Sequence, residues 1–135
     1  MAFVLDASTV LGWAFPDEEH PVADAALERL ATEDGAVPAL WWFEVRNALL
    51  AGERRKRLDE AGTATFLRRL ARLPIAIDHA PDETTLFTLA RRYRLTVYDA
   101  AYLELALRMG AALATTDGDL IVAAPLAGVT LLTVA

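Results

Sequence analysis

Apolar residues in this chain fall into two kinds of run, some too short for a helix and others spaced for one helical face. Phe3-Val4-Leu5 ends on Asp6 and is followed by Ser8 and Thr9. This pattern suits a buried strand handing over to a helix, with Asp6 at the strand's carboxyl end. Beyond a turn marked by Pro16 and Pro21, Val22, Ala25, Ala26, Leu27 and Leu30 recur at helical spacing until Gly35 interrupts them. Val37-Pro38 reads as a minimal strand. Leu40 to Ala51 is too long for a strand and rich in helix formers, and Glu44 lies inside it.

A fourth helix is expected from about Leu58 to Leu73, after which Pro74 leads into Ile75-Ala76-Ile77, a β-type run closed by Asp78. Thr84 to Tyr93 and Asp99 to Met109 read as two further helices. Ala111 to Thr115 reads as a strand that breaks at a turn, Asp117-Gly118-Asp119, and Val129 to Val134 as a last strand. Short apolar strands separated by helices imply parallel pairing, because parallel strands need crossover connections. The expected fold is therefore α/β: a three-layer α/β/α sandwich with a mainly parallel central sheet. At 135 residues the chain fits a single domain, 1–135.

Composition narrows the chemistry. Hydrophobic residues make up 55% of the chain, more than so small a body needs for its core, so part of the excess is expected to face a partner. Trp13, Trp41 and Trp42 are read individually as core. The absence of cysteine removes disulfides, thiolate metal sites and cysteine nucleophiles, and suits a cytoplasmic location. The first residues carry no basic leader pattern. The longest apolar stretch, Leu120 to Ala135, is shorter than a membrane span and broken by Pro125 and Gly128, so no transmembrane helix is expected.

A net charge of −6 argues against nucleic-acid binding unless positive charge is gathered locally. It is gathered: Arg54, Arg55, Lys56 and Arg57 form one basic run, with Arg68, Arg69 and Arg72, then Arg91, Arg92 and Arg94, further on. These residues form either a basic face beside an acidic cleft or simply solvated helix surfaces.

In parallel sheets ligands bind beyond the carboxyl ends of the strands, which singles out Asp6 and Asp117. Asp99 opens a helix. Glu44 sits in the apolar run Leu40-Trp41-Trp42-Phe43-Glu44-Val45, where an uncompensated charge is costly, and Asn47 lies one turn on from it. Each acid also has an ordinary structural account. Asp6 and Asp117 could cap the helices or turns next to them, Thr96-Val97-Tyr98-Asp99 has the form of a capping box, and Glu44 could be a salt-bridged helix residue.

Taken together the acids carry a resemblance. Val4-Leu5-Asp6-Ala7-Ser8, Trp42-Phe43-Glu44-Val45-Arg46-Asn47-Ala48-Leu49, Leu95-Thr96-Val97-Tyr98-Asp99-Ala100-Ala101-Tyr102 and Leu113-Ala114-Thr115-Thr116-Asp117-Gly118-Asp119-Leu120 resemble the four motif blocks of VapC-type PIN-domain toxins, in the family's order and spacing. The resemblance implies an acidic quartet of Asp6, Glu44, Asp99 and Asp117 around Mg²⁺ or Mn²⁺, supported by Ser8, Asn47 and Thr115. Asp119 would be a fifth acid. It further implies an endoribonuclease toxin of a toxin–antitoxin pair, a homodimer, and a cognate VapB-type antitoxin that sets a basic side chain near the acids. Arg54, Arg55 and Arg57 would then contact RNA. A catalytically silent PIN-like RNA-binding or scaffold module is the alternative.

Physical chemistry agrees with the quartet. Two carboxylates about 4 Å apart repel by roughly 4 kcal/mol at an effective dielectric near 20, so four together imply a cation or a bound proton. Hard divalent cations take carboxylate and water oxygens and can activate water against a phosphodiester, leaving 5′-phosphate and 3′-hydroxyl ends. Other designs lack parts. His20 and His79 fall in expected loops away from the acids, Ser8 sits in no nucleophile elbow, and no phosphate-cradling glycine loop is present. A receiver domain would need a lysine at a late strand, whereas Lys56 is the only lysine.

Overall fold

A computed structural model of the chain describes residues 1–15 and 20–134. Its elements in order are β1 (Ala2–Leu5), α1 (Ala7–Ala14), α2 (Pro21–Arg29), β2 (Asp34–Pro38), α3 (Leu40–Arg54), α4 (Glu60–Leu70), β3 (Ile75–Asp78), α5 (Glu83–Tyr93), α6 (Val97–Met109), β4 (Leu113–Ala114) and α7 (Gly118–Leu126). The turn expected at Pro16 lies outside the described residues, and Pro21 opens α2, a position where its missing N–H costs nothing.

The strands form one parallel sheet in the order β3-β2-β1-β4. Val4 pairs with Ala36 on one side and with Leu113 on the other. Phe3, Val4 and Leu5 are fully buried, as expected for a central strand covered on both faces. Helix α6 lies against β1 and β2 with α5 and α7 beside it, while α1 packs on α2 and α3. The run Ala100 to Ala106 of α6 is buried all round. This is the α/β/α arrangement that the apolar pattern implied.

Local differences have physical causes. Gly35 does not merely stop α2; it lies within β2, which begins at Asp34 rather than Val37. A Cβ there would come within 2.7 Å of Leu5 Cδ1 and 3.2 Å of Leu30 Cδ2, so a bare backbone lets β1 and the end of α2 close over the strand. The expected Leu58 to Leu73 helix spans Glu60–Leu70 and is capped by Asp59, which accepts from the Gly62 amide at 2.7 Å.

Two expectations at the carboxyl end are corrected. Asp117-Gly118-Asp119 is not a free turn but the start of α7, whose Leu120, Ala123 and Ala124 are buried at helical spacing. That period was hidden because nearly every residue from Leu120 to Leu126 is apolar. The strand expected at Val129 to Val134 is reduced to a parallel bridge between Leu113 and Leu131. Leu113 N donates to Thr130 O at 2.9 Å, and Leu132 N donates to Leu113 O at 2.8 Å. Because β4 itself has only the two residues Leu113–Ala114, its partner has little ladder to extend.

The tryptophans divide. Trp41 is buried, Trp13 is half-buried with its indole N–H donating to Ala23 O at 2.7 Å, and Trp42 is 42% exposed with Arg46 stacked 3.8 Å from its ring. The core reading therefore fails for Trp42. Among the described residues, no helix is long and apolar enough to cross a membrane.

Candidate active site

Asp6 leaves the carboxyl end of β1, in the middle of the sheet, and is buried. Its Oδ2 accepts hydrogen bonds from Ser8 Oγ and Thr115 Oγ1, each at 2.7 Å. Those hydroxyls are themselves acceptors, Ser8 Oγ from the Thr116 amide and Thr115 Oγ1 from the Asp117 amide, both at 3.0 Å. A hydroxyl that receives an N–H and gives its proton to a carboxylate is satisfied in both roles. The loop after β4 is thereby tied to Asp6.

Asp117 starts α7, and its Oδ2 accepts from the Leu120 amide at 3.0 Å. Asp99 sits in the first turn of α6, where Thr96 caps the helix as the capping-box reading expects: Thr96 Oγ1 accepts from the Asp99 amide at 3.1 Å. Glu44 projects from α3, with Asn47 one turn on. Asp6, Ser8, Glu44, Asn47, Asp99 and Asp117 line one cleft of about 300 Å³. Carboxylate oxygens of Asp99, Asp117 and the exposed Asp119 lie within 4.8 Å of one another.

Crowding shifts their protonation. Burial, then the charges of Asp117, Asp6 and Asp119, push Asp99 up to about 6. Burial raises Glu44 as well, with further increments from Asp6, Asp99 and Asp117, partly offset by a bond from Tyr102. Asp6 is raised by burial despite the Thr115 and Ser8 hydroxyls. Among the described residues, no ion pair engages these acids. No cationic side chain among the described residues neutralises the cluster, and its oxygens make a hard donor set suited to a divalent cation.

Residues 3–125 match the sequence profile of the PIN domain. The chain belongs to the PIN-domain family. It is 33% identical over 126 residues to Ribonuclease VapC3 of Pyrobaculum aerophilum, spanning 89% of this chain and 92% of that protein. The likeness to VapC-type PIN domains drawn from the four motif blocks therefore holds. The crystal structure of PAE2754 from Pyrobaculum aerophilum has the same fold, with a TM-score of 0.71 at 24% identity over 91% of this chain and 84% of that one.

Behind the cleft of this PIN domain lies a residue that sequence reasoning missed. Tyr102, fully buried on α6, donates its hydroxyl to Glu44 Oε1 at 2.5 Å. Its signal was the i, i+3 spacing from Asp99, which puts both on one helical face.

The basic run lies at the far end of α3. Arg54 ends the helix, ten residues beyond Glu44 and so about 15 Å along the axis. Arg54, Arg55 and Arg57 are exposed, and Arg57 stacks over Phe15 at 4.3 Å.

Proposed function

We propose that this PIN domain is an endoribonuclease that hydrolyses RNA phosphodiester bonds with Mg²⁺ or Mn²⁺ and acts as the toxin of a toxin–antitoxin pair. The observation that supports this best is the convergence of Asp6, Glu44, Asp99 and Asp117, from four separate parts of the fold, on one cleft at the carboxyl ends of the strands. These four would hold the cation. Ser8, Thr115 and Asn47 would support them, with Asp119 at the rim. A divalent cation supplies, when bound, charge neutralisation at phosphorus and acidification of an attacking water. Asp6 is oriented for this role by its two hydroxyl donors, and Asp117 is fixed by its cap. Likeness to a protein named Ribonuclease VapC3 supports RNA as substrate and a VapB-type antitoxin as partner, and the absence of cysteine suits the cytoplasm as the place of action. Exposed apolar side chains such as Phe43, Val122 and Leu126 suit the proposed homodimer and antitoxin contacts.

The decisive experiment is cleavage of single-stranded RNA with and without metal. Cleavage is expected with Mg²⁺ or Mn²⁺, and chelation by EDTA should abolish it until Mn²⁺ is restored, because the residues lining the cleft include no histidine pair for metal-free acid–base cleavage. Full activity in EDTA would refute the reading.

The same RNA tests the basic run. Neutralising Arg54, Arg55 and Arg57 together should weaken binding and flatten its salt dependence, by about 0.7 in log–log slope for each phosphate no longer neutralised. An unchanged slope would return these arginines to the role of solvated surface.

A further inference from the structure

A glutamate on a helix surface has three side-chain torsions and two equivalent oxygens, and nothing in α3 alone decides which oxygen meets a ligand. Here α6 decides it. Tyr102 is fully buried, and its hydroxyl donates to Oε1 of Glu44 at 2.5 Å. This hydroxyl therefore ties α6 to the acid on α3. A phenol has one proton to give, and here it is given to Glu44.

We propose that Tyr102 is a positioning residue of the cleft: by engaging Oε1 of Glu44 it presents the other oxygen, Oε2, as a one-oxygen ligand for a divalent cation. This rests on the reading of the acids as a cation site. Groups behind a metal ligand fix its orientation, and their loss commonly weakens binding by about 10- to 100-fold. The phenol ring also fills the core, so removing the hydroxyl alone is the discriminating change.

The test is Mn²⁺ titration by calorimetry on the intact chain without RNA, comparing wild type with Tyr102→Phe. The dissociation constant should rise by about 10- to 100-fold, and kcat for RNA should fall while KM stays near the wild-type value. A tyrosine that serves packing alone would shift the melting temperature and leave the Mn²⁺ constant within about twofold, which is too small for a missing supporting bond and would overturn the proposal.

Glu44→Gln reads the pair from the other side. Combined with Tyr102→Phe it should bind Mn²⁺ as weakly as Glu44→Gln alone, since the hydroxyl acts only through that carboxylate. Additive losses would also overturn the proposal. Wild-type protein that binds no Mn²⁺ would bring down the cation reading itself, an outcome distinct from equal binding by wild type and Tyr102→Phe.

Discussion

Replacing Asp99 with asparagine should make the metal-free protein more stable at neutral pH while reducing cleavage by more than about a hundredfold, a larger loss than a merely supporting residue gives. Asp99 is raised from its ordinary 3.8 to about 6 by burial and by Asp117, Asp6 and Asp119. An acid raised on folding contributes stability that is fully present below about 3.8 and is lost as pH rises through about 6. At pH 7 the wild type therefore carries an ionised carboxylate among like charges. Asparagine has the same shape and no charge. The melting temperature of Asp99→Asn in EDTA should thus pull ahead of wild type as pH is raised from 4 towards 7.

Mn²⁺ at a hundredfold excess over its dissociation constant should stabilise the wild type by about 2.7 kcal/mol and the variant much less. If Asp99 served only its capping box, the substitution would be neutral or cost up to about 1 kcal/mol, with the metal response intact. Paired melts at several pH values decide. A variant less stable than wild type in EDTA and equally stabilised by Mn²⁺ would remove Asp99 from the cation site.

The second large effect is expected far from the cleft, at Arg108. Glu104 is 2% exposed, in the middle of the most buried helix. Arg108 grips both of its oxygens, Nε to Oε2 at 2.8 Å and Nη2 to Oε1 at 3.0 Å. The same guanidinium holds Asp78 at the end of β3, at 3.1 and 2.6 Å. Arg108→Ala would leave a buried carboxylate unpaired, which costs about 3–5 kcal/mol where burial is complete. Arg108's side chain is about one-third exposed, so water replaces part of the loss and about 2–3 kcal/mol is expected in urea unfolding.

Arg108 also holds the Asp78 carboxyl below its usual range, a contribution present above that range and lost as pH falls through it. The Arg108→Ala difference should therefore shrink in acid. Replacing Glu104 with methionine in the same chain should recover most of the stability, because a buried ion pair exchanged for apolar groups is often neutral. A single variant within about 0.5 kcal/mol of wild type, the range of ordinary surface changes, would refute the account.

Glu104 also shows where reading the sequence stops. An acid in an apolar helical run singled out Glu44, and the same argument applies with greater force to Glu104, which is more deeply buried. One acid is compensated by a tyrosine at the cleft and the other by an arginine on the next turn. Linear order does not separate these cases, because the deciding neighbour of Glu44 is 58 residues away. Phe3-Val4-Leu5 and the long helices α3, α5 and α6 were legible because their length and period leave few alternatives. β2 was blurred by Gly35 and Pro38, residues that read as punctuation until the packing of Leu5 and Leu30 explains the glycine. α7 was missed because an unbroken apolar run has no visible period. Asp6 and Asp117 were legible as positions just beyond strands and Glu44 as an acid in an apolar run, whereas the Ser8 and Thr115 bonds that aim Asp6 required the sheet order.

The bond from Thr115 to Asp6 joins residues 109 positions apart, and β4 is the strand that brings them together. Contacts so distant in sequence form only after the cost of closing the intervening loop has been met, which places them late in folding. On the ribosome, β1 and its aspartate emerge first and wait for nearly the whole domain before β4 can dock beside them. Through most of its synthesis the growing chain therefore lacks an assembled acid cluster, and a partner recognising the finished cleft finds its target only when the last strand is in place.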